Sequence, residues 1–163
     1  MALKEVDATL VPILQESLGL HVQLLELLKV EHEVLVRHPK ELVAVTSKKE
    51  ALLKQLAEME KTRRLALVNV AAEYNIKLKE ATLTRLAQVS GNQEYETLRQ
   101  SFKHILAQIV DFQTKNHVLI EQGLAVTNEF IEVLYAAQEG PLYGPAGLDS
   151  ENKSPNKYVD GHI

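Results

Sequence analysis

The sequence predicts an all-α protein, an antiparallel bundle of three long helices plus one short helix, followed by a disordered C-terminal tail. Three observations carry this expectation. Apolar residues recur in steps of three and four along most of the chain; only 5% of residues are aromatic; and three of the five prolines and four of the seven glycines fall in residues 140 to 163. Leu, Ala, Glu and Lys lose little freedom in a helix, with Val a partial exception, whereas an all-β fold needs aromatic and β-branched residues in alternation. At 163 residues and 45% hydrophobic content, the chain is long enough for one domain with a real core.

The first helix is read from Leu14, Leu18, His21, Leu25, Leu28, His32 and Leu35. Pro12 lacks a backbone donor and clashes one turn back, so the helix either starts near Pro12 or kinks there, and His38-Pro39 ends it. Pro39 suits the first turn of a second helix with the seam Leu42, Val45, Lys49, Leu52, Leu56, Met59, Arg63, Ala66 and Val70. The short connection predicts an antiparallel pair in preference to one kinked rod, because consecutive heptad seams bury each other. That seam fades near Tyr74-Asn75. A short third helix over residues 82 to 90 has Thr82 as its cap and Gly91 as its stop. Asn92 then caps a last helix running to about Ala137.

The last helix carries the strongest seam: Tyr95, Leu98, Phe102, Ile105, Ile109, Phe112, Asn116, Leu119, Gly123, Val126, Phe130 and Val133, all large and apolar except Asn116 and Gly123. At 1.5 Å per residue it would span roughly 69 Å, against roughly 39 Å for the first helix and 54 Å for the second. One end should therefore lack internal cover. If the helices alternate in direction, that end holds Leu124, Val126, Phe130, Ile131, Val133 and Leu134, a contact surface for another chain unless it bends, frays or is covered by residues 1 to 11. Residues 1–137 thus read as a helical body and 138–163 as a flexible tail, disordered on its own.

Several chemistries are disfavoured. A net charge of -4 and a pI near 5.9 do not fit a dedicated nucleic-acid binder, and Lys61, Arg63 and Arg64 form too small a basic patch to change that. The chain has no cysteine, which removes disulfides and thiolate chemistry and fits a reducing cytoplasm. No apolar run is long enough for a membrane span, and the acidic opening residues do not resemble a signal peptide, so a complete cytoplasmic protein is expected, without direct membrane insertion. His21 and His32 lie roughly 16 Å apart along a helix and cannot share an ion; they read as partly exposed imidazoles at bundle ends. No phosphate loop or nucleophile elbow is present. The expectation is a binder rather than an enzyme, with no metal and no cofactor.

Three positions stand out. A buried Asn at the place of Asn116 fixes register at some cost in stability, or else contacts a ligand directly. Gly123 removes a side chain where a helix or peptide could approach closely, at a cost of roughly 1 kcal/mol relative to Ala. In the tail, Leu142-Tyr143-Gly144 sets two apolar side chains on a polar segment, as a short docking motif would, or as a tyrosine that folds back on the bundle would.

Four segments together resemble the FlgN family of flagellar export chaperones. They are Leu24-Leu25-Glu26 with Glu31; Lys49-Glu50-Ala51-Leu52-Leu53 with Leu56 and Arg63-Arg64; the stretch from Asp111 to Ile120, with Asn116 at the family's characteristic asparagine; and Leu142-Tyr143-Gly144-Pro145-Ala146-Gly147. The chain departs from the family pattern in a longer tail and in Pro145. The resemblance implies a chaperone that holds the C-terminal segments of the hook-associated proteins FlgK and FlgL, prevents their premature assembly, and delivers them to the export-gate protein FlhA without ATP. By position it assigns gate docking to Leu142, Tyr143 and Gly144.

Joined to the seam, this places substrate-protein binding on Asn116, Leu119, Gly123, Val126, Phe130, Ile131, Val133 and Leu134. Burying four such side chains yields roughly 6 to 12 kcal/mol gross. Association costs on the order of 4 to 15 kcal/mol, so affinity should be modest, as a carrier requires. A monomer or weak homodimer fits this role. The rival reading is a homodimeric coiled-coil structural adaptor that uses the same seams on itself.

Overall fold

The computed structural model describes residues 4–138, and among them the regular structure is entirely helical. The helices are α1 (Glu5–Arg37), α2 (Leu42–Glu73), α3 (Leu83–Ser90) and α4 (Gln93–Gln138), with short 3-10 turns at Pro39–Glu41 and Leu78–Glu80. The chain falls into two units, residues 1–121 and 122–163. The tail with Leu142, Tyr143 and Gly144 lies outside the described residues.

The first helix begins at Glu5, not near Pro12. Proline is tolerated inside it because Pro12 and Ala8 both lie on the exposed face, so the carbonyl that loses its donor meets water. Residues expected to be a possible cover for the far end of the last helix are instead core: Leu10 and Val11 are buried and Val6 packs against them. At the other end, His38 takes a non-helical conformation (φ -137°, ψ 56°), as a residue before proline tends to. Pro39 then opens a 3-10 turn, and α2 starts three residues later than the periodicity alone implied.

Two apolar clusters fix the directions of the helices. Leu10, Val11 and Leu14 of α1 meet Ala66 and Val70 of α2, Leu86 of α3, and Tyr95 and Leu98 of α4. Further along, Leu24, Leu25 and Leu28 meet Leu52 and Ile109. Residue numbers on α2 fall as those on α1 rise, so the pair is antiparallel; those on α4 rise, so α4 runs parallel to α1. Because α1 has neighbours on two sides, it buries two adjoining stripes, and Leu10, Ser17, Leu24 and Glu31 form the second one at seven-residue spacing. All nine predicted seam positions of α2 are at least half-buried.

The connections follow their sequence signals. At the end of α2, Asn75 adopts a left-handed conformation (φ 50°), Asn75 N–H donates to Ala72 O (3.1 Å) and Ile76 N–H to Ala71 O (3.0 Å), a Schellman closure. Ile76 packs on the first cluster. Thr82 accepts from Arg85 N–H at 3.2 Å and caps α3. Gly91 (φ 69°) ends α3 in the left-handed region, where a side chain would be strained. Asn92 accepts from Glu94 N–H at 3.0 Å and starts α4.

One polar group closes this end of the body. Asp7 is 1% exposed. Its carboxylate accepts from the Tyr95 hydroxyl (2.6 Å) and from the Tyr74 hydroxyl, tying α1 to the end of α2 and the start of α4. Lys4 bridges Glu73 at 2.9 Å and lies 4.4 Å over the Tyr74 ring. Desolvation, followed by the bond to Asp7, pushes the Tyr74 phenol up from 10.0 to about 12, and Tyr95 is raised for the same reasons. Between these values the unfolded chain has released protons that the folded one keeps, so stability is full below pH 10 and falls as pH rises towards 12. Urea unfolding across that range should show this loss, and Tyr74→Phe should make the curve shallower.

Candidate functional site

Asn116 does not present its amide to a partner. It is 2% exposed. Its Nδ2 donates to Leu28 O (3.0 Å) and to the Glu31 carboxylate (2.8 Å), and its Oδ1 accepts from His32 Nδ1–H at 3.0 Å. The other Glu31 oxygen accepts from Lys49 Nζ. The chain Lys49, Glu31, Asn116, His32 therefore joins α2, α1 and α4 at one level. Asn116 was expected among the partner-contacting residues; the structure gives it the register role, because every polar atom of its side chain is spent inside the body.

Sequence reasoning missed Glu31 as a buried centre. The signal was present in Lys49, a charge on the seam of α2 that needs a counter-ion, just as Asn116 needs hydrogen-bond partners on the seam of α4. The histidines also differ from expectation. His21 and His32 are not at bundle ends but meet Phe102 and Phe112 edge-on along the α1–α4 contact, with ring centroids at 5.6 and 5.9 Å. Among the described residues, no buried side-chain nitrogen or oxygen lacks a hydrogen-bond partner. The interior is thus chemically closed.

The basic patch is closed as well. Arg63 pairs bidentately with Glu60 (2.6 and 2.7 Å), Arg64 adds a third bond at 3.0 Å, and Lys61 pairs with Glu58 at 2.7 Å. A cleft of about 330 Å³ lies beside it in the first unit, walled by Leu14, Leu67, Leu83 and Phe102. Its charges, Glu60 and Arg63, neutralise each other across its rim.

The second unit is different. Every described residue from Gln122 to Ala137 is exposed. Leu124 (59%), Val126 (65%), Phe130 (61%), Ile131 (43%), Val133 (64%) and Leu134 (47%), the residues expected at the uncovered end of the last helix, are exposed there, joined by Tyr135 (63%). Tyr135 had not been singled out, although its place one turn after Ile131 puts it on the same side. Leu119 is half-buried. Among the described residues, a Cβ added at Gly123 would meet nothing within 4 Å, so none of them requires the glycine.

The described residues thus form a helical body with a satisfied polar interior and a helix end that exposes apolar side chains. A family model described as FlgN protein matches residues 1–151, most of the chain. The chain belongs to the FlgN family, a family of flagellar export chaperones and not of enzymes; membership implies binding to hook-associated proteins. No curated protein and no solved structure matches it. Among the described residues, no helix is long and apolar enough to cross a membrane.

The buried network makes a test. Asn116→Ala removes one partner each from the buried Glu31 carboxylate and from His32 Nδ1–H and should cost about 1 to 3 kcal/mol in chemical denaturation. Asn116→Asp sets a second carboxylate against Glu31 and should cost more than Asn116→Ala in the same measurement at neutral pH.

Proposed function

We propose that this chaperone captures the C-terminal segments of the hook-associated proteins FlgK and FlgL on the exposed helical face of residues 122–137, with Leu119 and Gly123 at its start, and passes them to the export-gate protein FlhA in the cytoplasm. The observation that carries this reading is the run of seven large apolar side chains, from Leu124 to Tyr135, all at least 43% exposed. A surface of that kind is costly in water and is relieved by an amphipathic partner helix. Substrate segments that pair only after assembly are such helices, and a temporary apolar partner shields them until export.

Residues 1–137 form the chaperone body in this reading and 138–163 the tail, whose Leu142, Tyr143 and Gly144 engage the gate. Asn116 contributes indirectly, by holding α4 in register with α1. The notch at Gly123 admits close approach of the substrate backbone.

Calorimetric titration with the C-terminal segment of a hook-associated protein tests the face. Phe130→Asp should abolish capture while the circular dichroism melt stays unchanged, since Phe130 is 61% exposed. Unaltered capture by the folded variant would remove the face from the reading. Gly123→Ala should stabilise the helix by about 1 kcal/mol and yet weaken capture. For the tail, Tyr143→Ala should leave capture intact and reduce secretion of the substrates; normal secretion would detach the motif from delivery.

A further inference from the structure

The face of residues 122–137 carries two features that specify its occupant: its width and its charge. At about 100° per residue, Val133, Val126 and Phe130 form one side, Leu134 the middle, and Leu124, Ile131 and Tyr135 the other, so the apolar arc covers about 200°. Thr127 falls inside that arc, but its hydroxyl donates to Gly123 O at 2.9 Å and makes no demand on a partner. In the first unit, by the same measure, α4 packs Tyr95, Leu98, Phe102, Ile105, Ile109 and Phe112 within about 100°, the ordinary width of a helix stripe facing a core. The second face is twice as wide as the stripe that α1 and α2 cover together in the first unit, and so wider than one helix covers.

Its borders are acidic. Between Asn116 and Gln138 the chain has no Lys or Arg, and its carboxylates are Glu121, Glu129 and Glu132. Glu121 pairs with His117 at 3.1 Å. Glu129 lies one turn from both Val126 and Val133, on one edge of the arc; Glu132 lies one turn from Tyr135, on the other. The last cation before this stretch, Lys115, is engaged by Asp111 at 2.7 Å.

We propose that the occupant of this face is a pair of amphipathic helical segments whose apolar seams are bordered by Lys or Arg, one meeting Glu129 and the other Glu132, and that a second copy of this chain is excluded by charge. Two copies joined through the face would bring together the carboxylates of both and no cation, which opposes association. A basic-bordered partner supplies the missing charge, and a pair of helices covers more of the arc than one can. This deepens the substrate-capture reading above and rests on it for the identity of the natural partner.

The test uses the full chain and three probes: the C-terminal segment of a hook-associated protein, and Lys-bordered and Glu-bordered versions of one designed amphipathic helical hairpin. The Lys-bordered hairpin should bind at least about 10-fold more tightly than its Glu-bordered twin at low salt, with the difference shrinking as salt rises. Glu129→Lys and Glu132→Lys should each weaken the Lys-bordered hairpin about 3-fold or more and reverse the preference when combined. Equal affinity for the two hairpins, a response at only one of the two edges, or a dimer of the unaltered chain that Phe130→Asp dissolves would overturn the proposal. A hook-associated segment that fails to bind while the Lys-bordered hairpin binds would instead remove the substrate assignment and leave the charge specificity standing.

Discussion

The Glu31 carboxylate, buried to 2% exposure, is the constraint on which the first unit depends. An ionised group taken out of water must be paired and hydrogen-bonded, and Glu31 is paired from both neighbouring helices, by Lys49 of α2 and by Asn116 of α4. Such a network adds little net stability compared with an apolar plug of the same volume. Its effect is specificity: sliding α4 by one turn, about 5.4 Å, would strand the carboxylate and the Asn116 amide together, whereas leucines would repack at modest cost. The bundle therefore has one register rather than several.

The second tie, Asp7 between Tyr74 and Tyr95, sits 24 residues earlier on α1, or roughly 36 Å away along the helix at 1.5 Å per residue. Each tie joins α1 to both other long elements, and the two apolar clusters fill the length between them. Apolar contacts supply most of the favourable energy, but they are non-directional. The polar ties at the two ends convert that energy into a single alignment.

Polar satisfaction inside the body also bears on function. The interior groups are spent on one another and the basic cluster is held by Glu58 and Glu60, so what the described residues offer outward is solvated charge over the first unit and apolar side chains at the end of α4. Beyond Asn116 no described residue of α4 is buried. Exposed large apolar side chains are densest in residues 122–137, and in the proposed reading a partner covers them.

The sequence by itself determined the helices, because helix-forming composition, three-four spacing and terminators such as Thr82, Gly91 and Asn92 act locally. It also determined the antiparallel pairing of α1 and α2, which a short connection enforces, and the segment of α4 with apolar side chains to spare. What only the tertiary structure decided are the partnerships of isolated polar residues. Asp7 looked like one of the acidic opening residues, and Glu31 like part of a leucine-rich helix; each became a centre because residues 18 to 88 positions away in the chain arrive beside it, a result of tertiary packing. The start of α1 shows the same limit. Pro12 is a breaker by its local chemistry, and it is accommodated because the three-dimensional fold turns its missing hydrogen bond towards water.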